Sequence, residues 1–262
     1  MIELNDKLLK EIEDKIVVEN EPFPNSAINN FLPTNVVKKA EEEFLKLKEA
    51  TSDAGCKEFQ KTKRVLYSYS KMPTTIKDII NFFYSPGFIK ILENKFKMEN
   101  LVPDWNLHGG GLHESFKGGF LKIHSDFIYM RKSKLRRKLN LLIYLNSDWK
   151  EDWKGSIELW DNKMTSSKKS ILPIINNAVI FRTDVDSNHG FPEPIECPDN
   201  VTRKSLALYY YSKEKTILPI AIRRRKHFHA VWKQRPNKTE PKFADNDPFF
   251  KRLKYKFFYR FF

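Results

Sequence analysis

The stretch FLKIHSDFIYM, residues 120–130, places a histidine and an aspartate two positions apart in an otherwise apolar run. Its β-type residues predict a strand over 120–124. Because alternate side chains of a strand point to the same face, His124 and Asp126 are expected to project together. They are either two ligands of one metal ion or a hydrogen-bonded polar pair on a half-buried strand. The spacing alone favours the polar pair.

The residues around this stretch predict the fold. Turn residues separate further β-type runs, and these are found at 139–145, 156–160, 170–174, 178–182 and 204–211. Apolar periodicity predicts helices before the stretch, at about 35–49, over 73–84 and over 85–97. Ser85 is the expected N-cap of the last helix, with Pro86 at its first position. Many short strands after leading helices predict an α+β chain with a mainly β core, a jelly roll or double-stranded β-helix with N-terminal helices packed outside.

We expect three regions that form one continuous domain. Residues 1–100 are the helical support region, residues 101–215 the double-stranded β-helix, and residues 216–262 a basic and aromatic C-terminal extension. A chain of 262 residues with 40% apolar residues is long enough to build such a core.

The composition also predicts where the protein works. The first 20 residues are charged throughout and lack the apolar centre of a signal peptide. No window approaches the run of about 20 apolar residues that a membrane span requires. Two cysteines, Cys56 and Cys197, do not make a disulfide framework. We therefore expect a soluble protein of the reducing cytoplasm.

The basic charge is concentrated at the C-terminus. Of a net charge of +14, residues 221–262 contribute 13 basic and 3 acidic side chains. The last 14 positions hold eight aromatic and five basic residues. Such a segment is either a peripheral surface for anionic lipid or nucleic acid, or a terminal helix docked on the barrel. We favour the docked helix.

A third ligand for a metal at His124 and Asp126 must come from elsewhere in the chain. Five other histidines are available, and His189 stands out because it lies in the turn-rich DVDSNHGFPEPI, just after the strand at 178–182. Two histidines and one carboxylate form the facial triad of non-haem Fe(II) oxygenases, which leaves coordination positions open.

Three further polar residues lie on predicted strands. Arg203 opens the strand RKSLALYYY, and Ser205 shares its face. A guanidinium inside a barrel needs an anionic partner and matches a carboxylate in two-point geometry. Tyr144, in LLIYLN, reads on its own as an ordinary strand aromatic. His113, in the glycine-rich LHGGGLHES, either faces a substrate pocket or lies on a surface turn, which we favour.

Together, the ordered segments HSD, LIYLN, GSIELW, AVIFR, NHGFPEP and RKSLALYYY resemble the Fe(II)/2-oxoglutarate-dependent dioxygenases, in their prolyl 4-hydroxylase-like branch. The resemblance runs from about residue 105 to 212, and PFPNSAINNFLP extends it toward the N-terminus. It implies Fe(II) as metal, 2-oxoglutarate and O₂ as cosubstrates, and ascorbate as reductant. The roles that it implies are iron ligation by His124, Asp126 and His189, and binding of the distal carboxylate of 2-oxoglutarate by Arg203, with Ser205 and Tyr144 beside it.

The implied reaction hydroxylates a C–H bond and releases succinate and CO₂. A prolyl or similar peptide residue is the expected substrate, with a small metabolite or a glycan-linked group as alternatives. Many prolyl hydroxylases carry a tyrosine three residues before the first histidine, where this chain has Leu121, which leaves some cosubstrate contacts open. Nucleic-acid demethylases of the superfamily carry a second arginine where this chain has Tyr209, which argues against a nucleic-acid substrate. A non-catalytic jelly-roll binding module and a zinc hydrolase are further alternatives, and nothing in the sequence indicates the oligomeric state.

Overall fold

The computed structural model describes residues 4–47, 60–130, 135–213 and 230–236. The helices of this part of the chain are α1 (Asp6–Lys15), α2 (Thr34–Leu45), α3 (Thr74–Phe83) and α4 (Pro86–Phe96). The strands are β1 (Asn25–Ile28), β2 (Gln60–Leu66), β3 (Leu101–Pro103), β4 (Gly111–Ser125), β5 (Leu135–Tyr144), β6 (Ile157–Trp160), β7 (Ser167–Ile171), β8 (Ala178–Arg182), β9 (Asn188–Phe191), β10 (Arg203–Lys213) and β11 (Val231–Trp232).

Antiparallel pairing joins these strands in the order β1-β8-β5-β10-β4-β9-β6-β7. Strands β2 and β11 also pair with β4, and β3 pairs with β10. The long strand β4 is shared between two parts of the sheet, because its first residues pair with β10 and its last residues pair with β9. The sheet thereby rolls over on itself, which confirms the predicted jelly roll.

The strand β10 separates the helical layer from the interior of the barrel. Its residues Leu206, Leu208 and Tyr210 belong to the large core that includes the buried side chains of all four helices. The Tyr210 hydroxyl donates to the carbonyl of Phe83 at the end of α3, at 2.9 Å. Each fully buried apolar side chain, such as that of Leu206 or Leu208, contributes roughly 2 kcal/mol to folding. The helices thus hold the outer face of the sheet, as predicted, and leave the alternate residues of β10 to line the interior.

The helix signals in the sequence are largely confirmed. Ser85 is the N-cap of α4, since its side chain accepts from the Phe88 amide at 3.3 Å, and Pro86 is the first helical residue. Helix α2 ends at Leu45, several residues before the predicted end near residue 49. The strand predicted over 178–182 coincides with β8.

Several strand predictions were wrong in extent. Strand β4 begins at Gly111, nine residues before the predicted start, and β2 begins in a segment where no strand was predicted. At Gly111, φ is +86° and a Cβ atom would lie 2.3 Å from the carbonyl oxygen of Leu66. Only glycine therefore lets β2 approach β4 here. The residues of β2 and the first residues of β4 are extended because neighbouring strands pair with them. Local β propensity does not reveal such pairing.

The two outer regions of the chain contribute to the same sheet. From residues 1–100, β1 pairs with β8 and β2 pairs with β4. From residues 216–262, the short β11 pairs with the end of β4. The aromatic end of the chain and its predicted docking or membrane contact lie outside the described residues, as do His227 and His229. None of the described helices has the length and apolarity needed to cross a membrane.

Candidate metal centre

Strands β4 and β9 pair so that His124 lies directly opposite His189, with ring centroids 4.6 Å apart. Asp126 follows β4 and places its carboxylate beside both rings. Its Oδ1 is 3.6 Å from Nε2 of His124, and its Oδ2 is 3.5 Å from Nε2 of His189. Each residue offers a ligand atom, and all three atoms lie within 4.8 Å of one another. The structure thus brings together the three residues that the sequence singled out.

Backbone carbonyls fix both imidazole rings. Nδ1 of His124 is 2.8 Å from the carbonyl oxygen of Lys122, and Nδ1 of His189 is 2.9 Å from that of Ser187. Because a carbonyl oxygen can only accept, each Nδ1 carries the hydrogen and each Nε2 keeps its lone pair. Such second contacts orient metal-ligating histidines. Both lone pairs are therefore available on the side of Asp126.

Asp126 is held as a carboxylate. The side-chain amide of Asn140 donates to its Oδ2 at 2.9 Å, and Nη2 of Arg137 lies 3.2 Å from the same oxygen. Burial opposes ionisation, but Arg137 and the histidines outweigh it and hold the pKa of Asp126 well below its usual range. Burial lowers the pKa of His189 to about 4, although the charge of Asp126 acts in the opposite direction. At neutral pH, Asp126 is therefore a negatively charged ligand and His189 a neutral one.

Sequence reasoning missed the two residues that hold Asp126. Arg137 lies in the basic run RKSKLRRK, which precedes the strand predicted at 139–145, yet residues 135–138 are part of β5 and Arg137 is 1% exposed. Its Nε donates to Oδ1 of Asn140 at 2.8 Å, and its guanidinium lies 3.5 Å from the ring centroid of Tyr209. The sequence did contain a signal for Asn140. Alternate residues of a strand share a face, so Asn140 was expected on the same face as Leu142 and Tyr144.

Gly190 sets the spacing between the two histidine strands. A Cβ atom at this position would lie 2.6 Å from the carbonyl oxygen of Leu121 and 2.7 Å from that of Lys122. Both contacts are to the backbone of β4, so a side chain here must push the strands apart.

We expect Gly190→Ala to move His189 away from His124 and Asp126. The affinity for Mn²⁺, measured by calorimetry without O₂, should fall by at least about tenfold, the range seen when a ligand is misoriented. Gly118→Ala is the matched control, because Gly118 has φ of +73° and no atom within 4 Å of the added Cβ. It should cost stability without weakening metal binding. Wild-type Mn²⁺ affinity in Gly190→Ala would mean that the close approach does not position His189.

A second polar cluster lies on the inner face of the sheet. Ser205 of β10 is opposite Tyr144 of β5 on one side and His113 of β4 on the other. Arg203 is two residues before Ser205. Because residues in register and alternate residues of a strand share a face, all four side chains point to the interior. His113 is therefore a strand residue of the barrel and not part of a surface turn.

Arg203 is a buried cation with no anionic partner among the described residues. It is 4% exposed, and no carboxylate in the described ranges lies within 4.0 Å of it. Its Nε donates to the carbonyl of Gly155 at 2.7 Å, and its Nη2 donates to the Tyr144 hydroxyl at 3.3 Å. Burial lowers the pKa of Arg203 and raises that of Tyr144. A buried guanidinium without an anion is costly, so this position fits an anionic ligand.

Comparison with known proteins agrees with this geometry. The profile of the 2OG-Fe(II) oxygenase superfamily matches residues 110–211, a range that contains the triad, Arg203, Tyr144 and Ser205. This match places residues 110–211 in the 2OG-Fe(II) oxygenase superfamily. A search of curated protein sequences finds no match.

Solved structures show that this oxygenase shares the prolyl hydroxylase fold. It is 13% identical to a Pseudomonas putida prolyl-4-hydroxylase, covering 78% of this chain and 99% of that one, with a TM-score of 0.58. A Trichoplax adhaerens prolyl hydroxylase, in complex with a hypoxia inducible factor peptide, is 15% identical over 79% of this chain and 90% of its own, with a TM-score of 0.54. A Phytophthora capsici prolyl 4-hydroxylase is 17% identical over 82% of this chain and 65% of its own, with a TM-score of 0.52. Because the sequence identities are this low, the similarity to these three structures shows a shared fold and nothing further.

The family and the geometry together define a 2-oxoglutarate-dependent dioxygenase that uses Fe(II), 2-oxoglutarate and O₂. Two imidazole nitrogens and one carboxylate suit Fe(II) and leave positions for other ligands. Arg203, which is buried and has no carboxylate neighbour in the described ranges, suits a dicarboxylic cosubstrate.

Proposed function

We propose that this oxygenase hydroxylates a C–H bond of a prolyl or similar residue in a peptide, with succinate and CO₂ as coproducts. The observation that carries the proposal is the presence, inside one barrel, of the His124–Asp126–His189 cluster and of Arg203, which has no carboxylate partner among the described residues. A metal site alone is compatible with hydrolysis, and a buried arginine alone with structure. Both together fit a chelating 2-oxo acid that has a second carboxylate.

Each residue of the metal centre has a defined part in the proposal. His124 and His189 offer their Nε2 lone pairs to Fe(II), and Asp126 offers a carboxylate oxygen. Asn140 and Arg137 hold Asp126 in place and keep it ionised. The bound iron supplies the redox chemistry that couples decarboxylation of 2-oxoglutarate to oxidation of the substrate.

The cosubstrate residues position the distal end of 2-oxoglutarate. In the proposal the Arg203 guanidinium binds its distal carboxylate, while the Tyr144 hydroxyl, which already contacts Arg203, and Ser205 complete the pocket. The substrate contact predicted for His113 stays a prediction, as does the use of ascorbate.

Aromatic rings lie against the histidine ligands. The ring of Phe181 lies 4.6 Å from that of His189, and the ring of Trp232 on β11 lies 4.9 Å from that of His124, between centroids. A site shielded in this way strengthens the charge interactions among its residues. Strand β11 therefore forms part of the wall of the proposed centre.

The peptide substrate is supported by the fold that this chain shares with prolyl hydroxylases, one of them bound to a peptide. The test incubates peptides that contain a single proline with Fe(II), 2-oxoglutarate and O₂, and then measures their mass. We expect the gain of one oxygen atom on proline, and no gain with the Asp126→Ala variant. If 2-oxoglutarate turns over but only a small metabolite or a glycan-linked compound gains oxygen, the peptide assignment is wrong.

A further inference from the structure

Lys63 lies in the same row of the sheet as Arg203. On β2 it is opposite Ser115 of β4, and Ser115 is opposite Arg203 of β10. Residues in register across neighbouring strands share a face, so the side chain of Lys63 points into the barrel. The next residue, Arg64, points outward, where its Nε donates to Glu114 at 2.9 Å. Lys63 is therefore an interior cation, and sequence reasoning missed it because no strand was predicted in this segment.

Lys63 and Arg203 form a pair of interior cations without a partner carboxylate. In the described ranges, no carboxylate lies within 4.0 Å of either side chain. Their Cα atoms are two strand spacings apart, about 10 Å, a distance that two long basic side chains can span to one shared anion. Like charges that face each other in a partly buried space destabilise the protein until an anion lies between them.

Electrostatics place the Lys63 amine near Arg203 and His113. Burial and then Arg203 lower the pKa of Lys63 to about 8, while Asp126 acts in the opposite direction. After burial, Lys63 is also the largest cause of the lowered pKa of His113. The amine therefore lies within electrostatic range of Arg203 and His113, and of Asp126 as well.

We propose that Lys63 is a second cationic contact for the distal carboxylate of 2-oxoglutarate, which it holds from β2 while Arg203 holds it from β10. This inference rests on the proposed function of the site. It gives the oxygenase a cosubstrate contact from a strand outside the stretch at 110–211 that the family profile matches. The predicted consequence is selectivity for 2-oxo acids that carry a second carboxylate.

The test measures binding by calorimetry to Mn²⁺-loaded protein without O₂. Two ligands are compared, 2-oxoglutarate and 2-oxopentanoate, which has the same chelating end but a methyl group instead of the distal carboxylate. Lys63→Met should weaken 2-oxoglutarate about tenfold, as expected for the loss of a charge-assisted contact, and leave 2-oxopentanoate unchanged within about twofold. Lys63→Arg should keep most of the affinity. Arg64→Met, the same charge change on the outer face, is the matched control and should leave both affinities unchanged.

Each other result overturns the proposal in a distinct way. Equal weakening of both ligands by Lys63→Met would make Lys63 a structural residue of β2. Unchanged binding of 2-oxoglutarate, with weaker binding of the peptide substrate, would make Lys63 a substrate residue. If the Mn²⁺-loaded wild-type protein binds no 2-oxoglutarate, the proposed function fails together with this inference.

Discussion

Asp126→Ala is expected to abolish the Fe(II)-dependent formation of succinate. The substitution removes the anionic member of the triad and leaves only the two imidazoles, so metal affinity should fall by more than roughly 100-fold, beyond the loss typical of outer contacts. It also leaves Arg137 buried without its carboxylate, which costs about 3–5 kcal/mol of stability. The readouts are Mn²⁺ binding by calorimetry and succinate formation.

His124→Ala separates metal loss from unfolding. It removes a ligand that makes no ion pair with Arg137, and it should abolish turnover with a smaller loss of stability. Asp184→Ala is the matched control. Asp184 forms an ion pair with Arg136, the neighbour of Arg137, at 3.1 Å and is not one of the residues that hold the triad. This variant should leave turnover intact. Full turnover in both Asp126→Ala and His124→Ala would refute the assignment of the triad.

Arg203→Met is expected to weaken 2-oxoglutarate binding by roughly 100-fold, the equivalent of about 2.7 kcal/mol, because it removes a charge-assisted two-point contact. Binding of 2-oxopentanoate should change little, since that ligand has no distal carboxylate. Calorimetry with Mn²⁺-loaded protein measures both affinities.

Thermal unfolding gives this prediction a second readout. In the ligand-free protein Arg203 is a buried charge that no carboxylate of the described residues pairs with, so its replacement by methionine should not lower the midpoint temperature. A variant of Arg182, which pairs with Asp186 near the surface at 3.2 Å, should leave 2-oxoglutarate affinity unchanged. Unchanged 2-oxoglutarate binding in Arg203→Met, or a large loss of stability, would indicate that Arg203 has a structural role.

The parts of the fold with strong local signals were predictable. Ser85 and Pro86 mark the start of α4, and the apolar run AVIFR is β8. The period of two in strands suggested that His124 and Asp126 share a face and that Ser205 follows Arg203 on one face. His189 was selected by its place after a strand, and the resemblance to a family gave the set its roles.

The rest depends on contacts between distant strands. Strand β4 runs through glycine-rich sequence because β2 and β10 pair with it, and β9 lies in a segment that read as turns. Arg137 belongs to a basic run whose composition is that of a solvated loop, and only pairing with β10 turns it inward. The same holds for Lys63, which faces the barrel because of its register with Ser115. Domain boundaries, cytoplasmic location and the role of the C-terminal extension stay predictions.

The most direct measurement of the central claim is the release of CO₂ from 2-oxoglutarate labelled at its first carbon. The protein is incubated with Fe(II) and O₂, and succinate is quantified in the same sample. We predict that labelled CO₂ and succinate form in equal amounts, and that both are lost when Fe(II) is chelated, when O₂ is removed or when Asp126 is replaced by alanine. Iron-loaded protein that binds 2-oxoglutarate but releases no more CO₂ than the Asp126→Ala variant would contradict it.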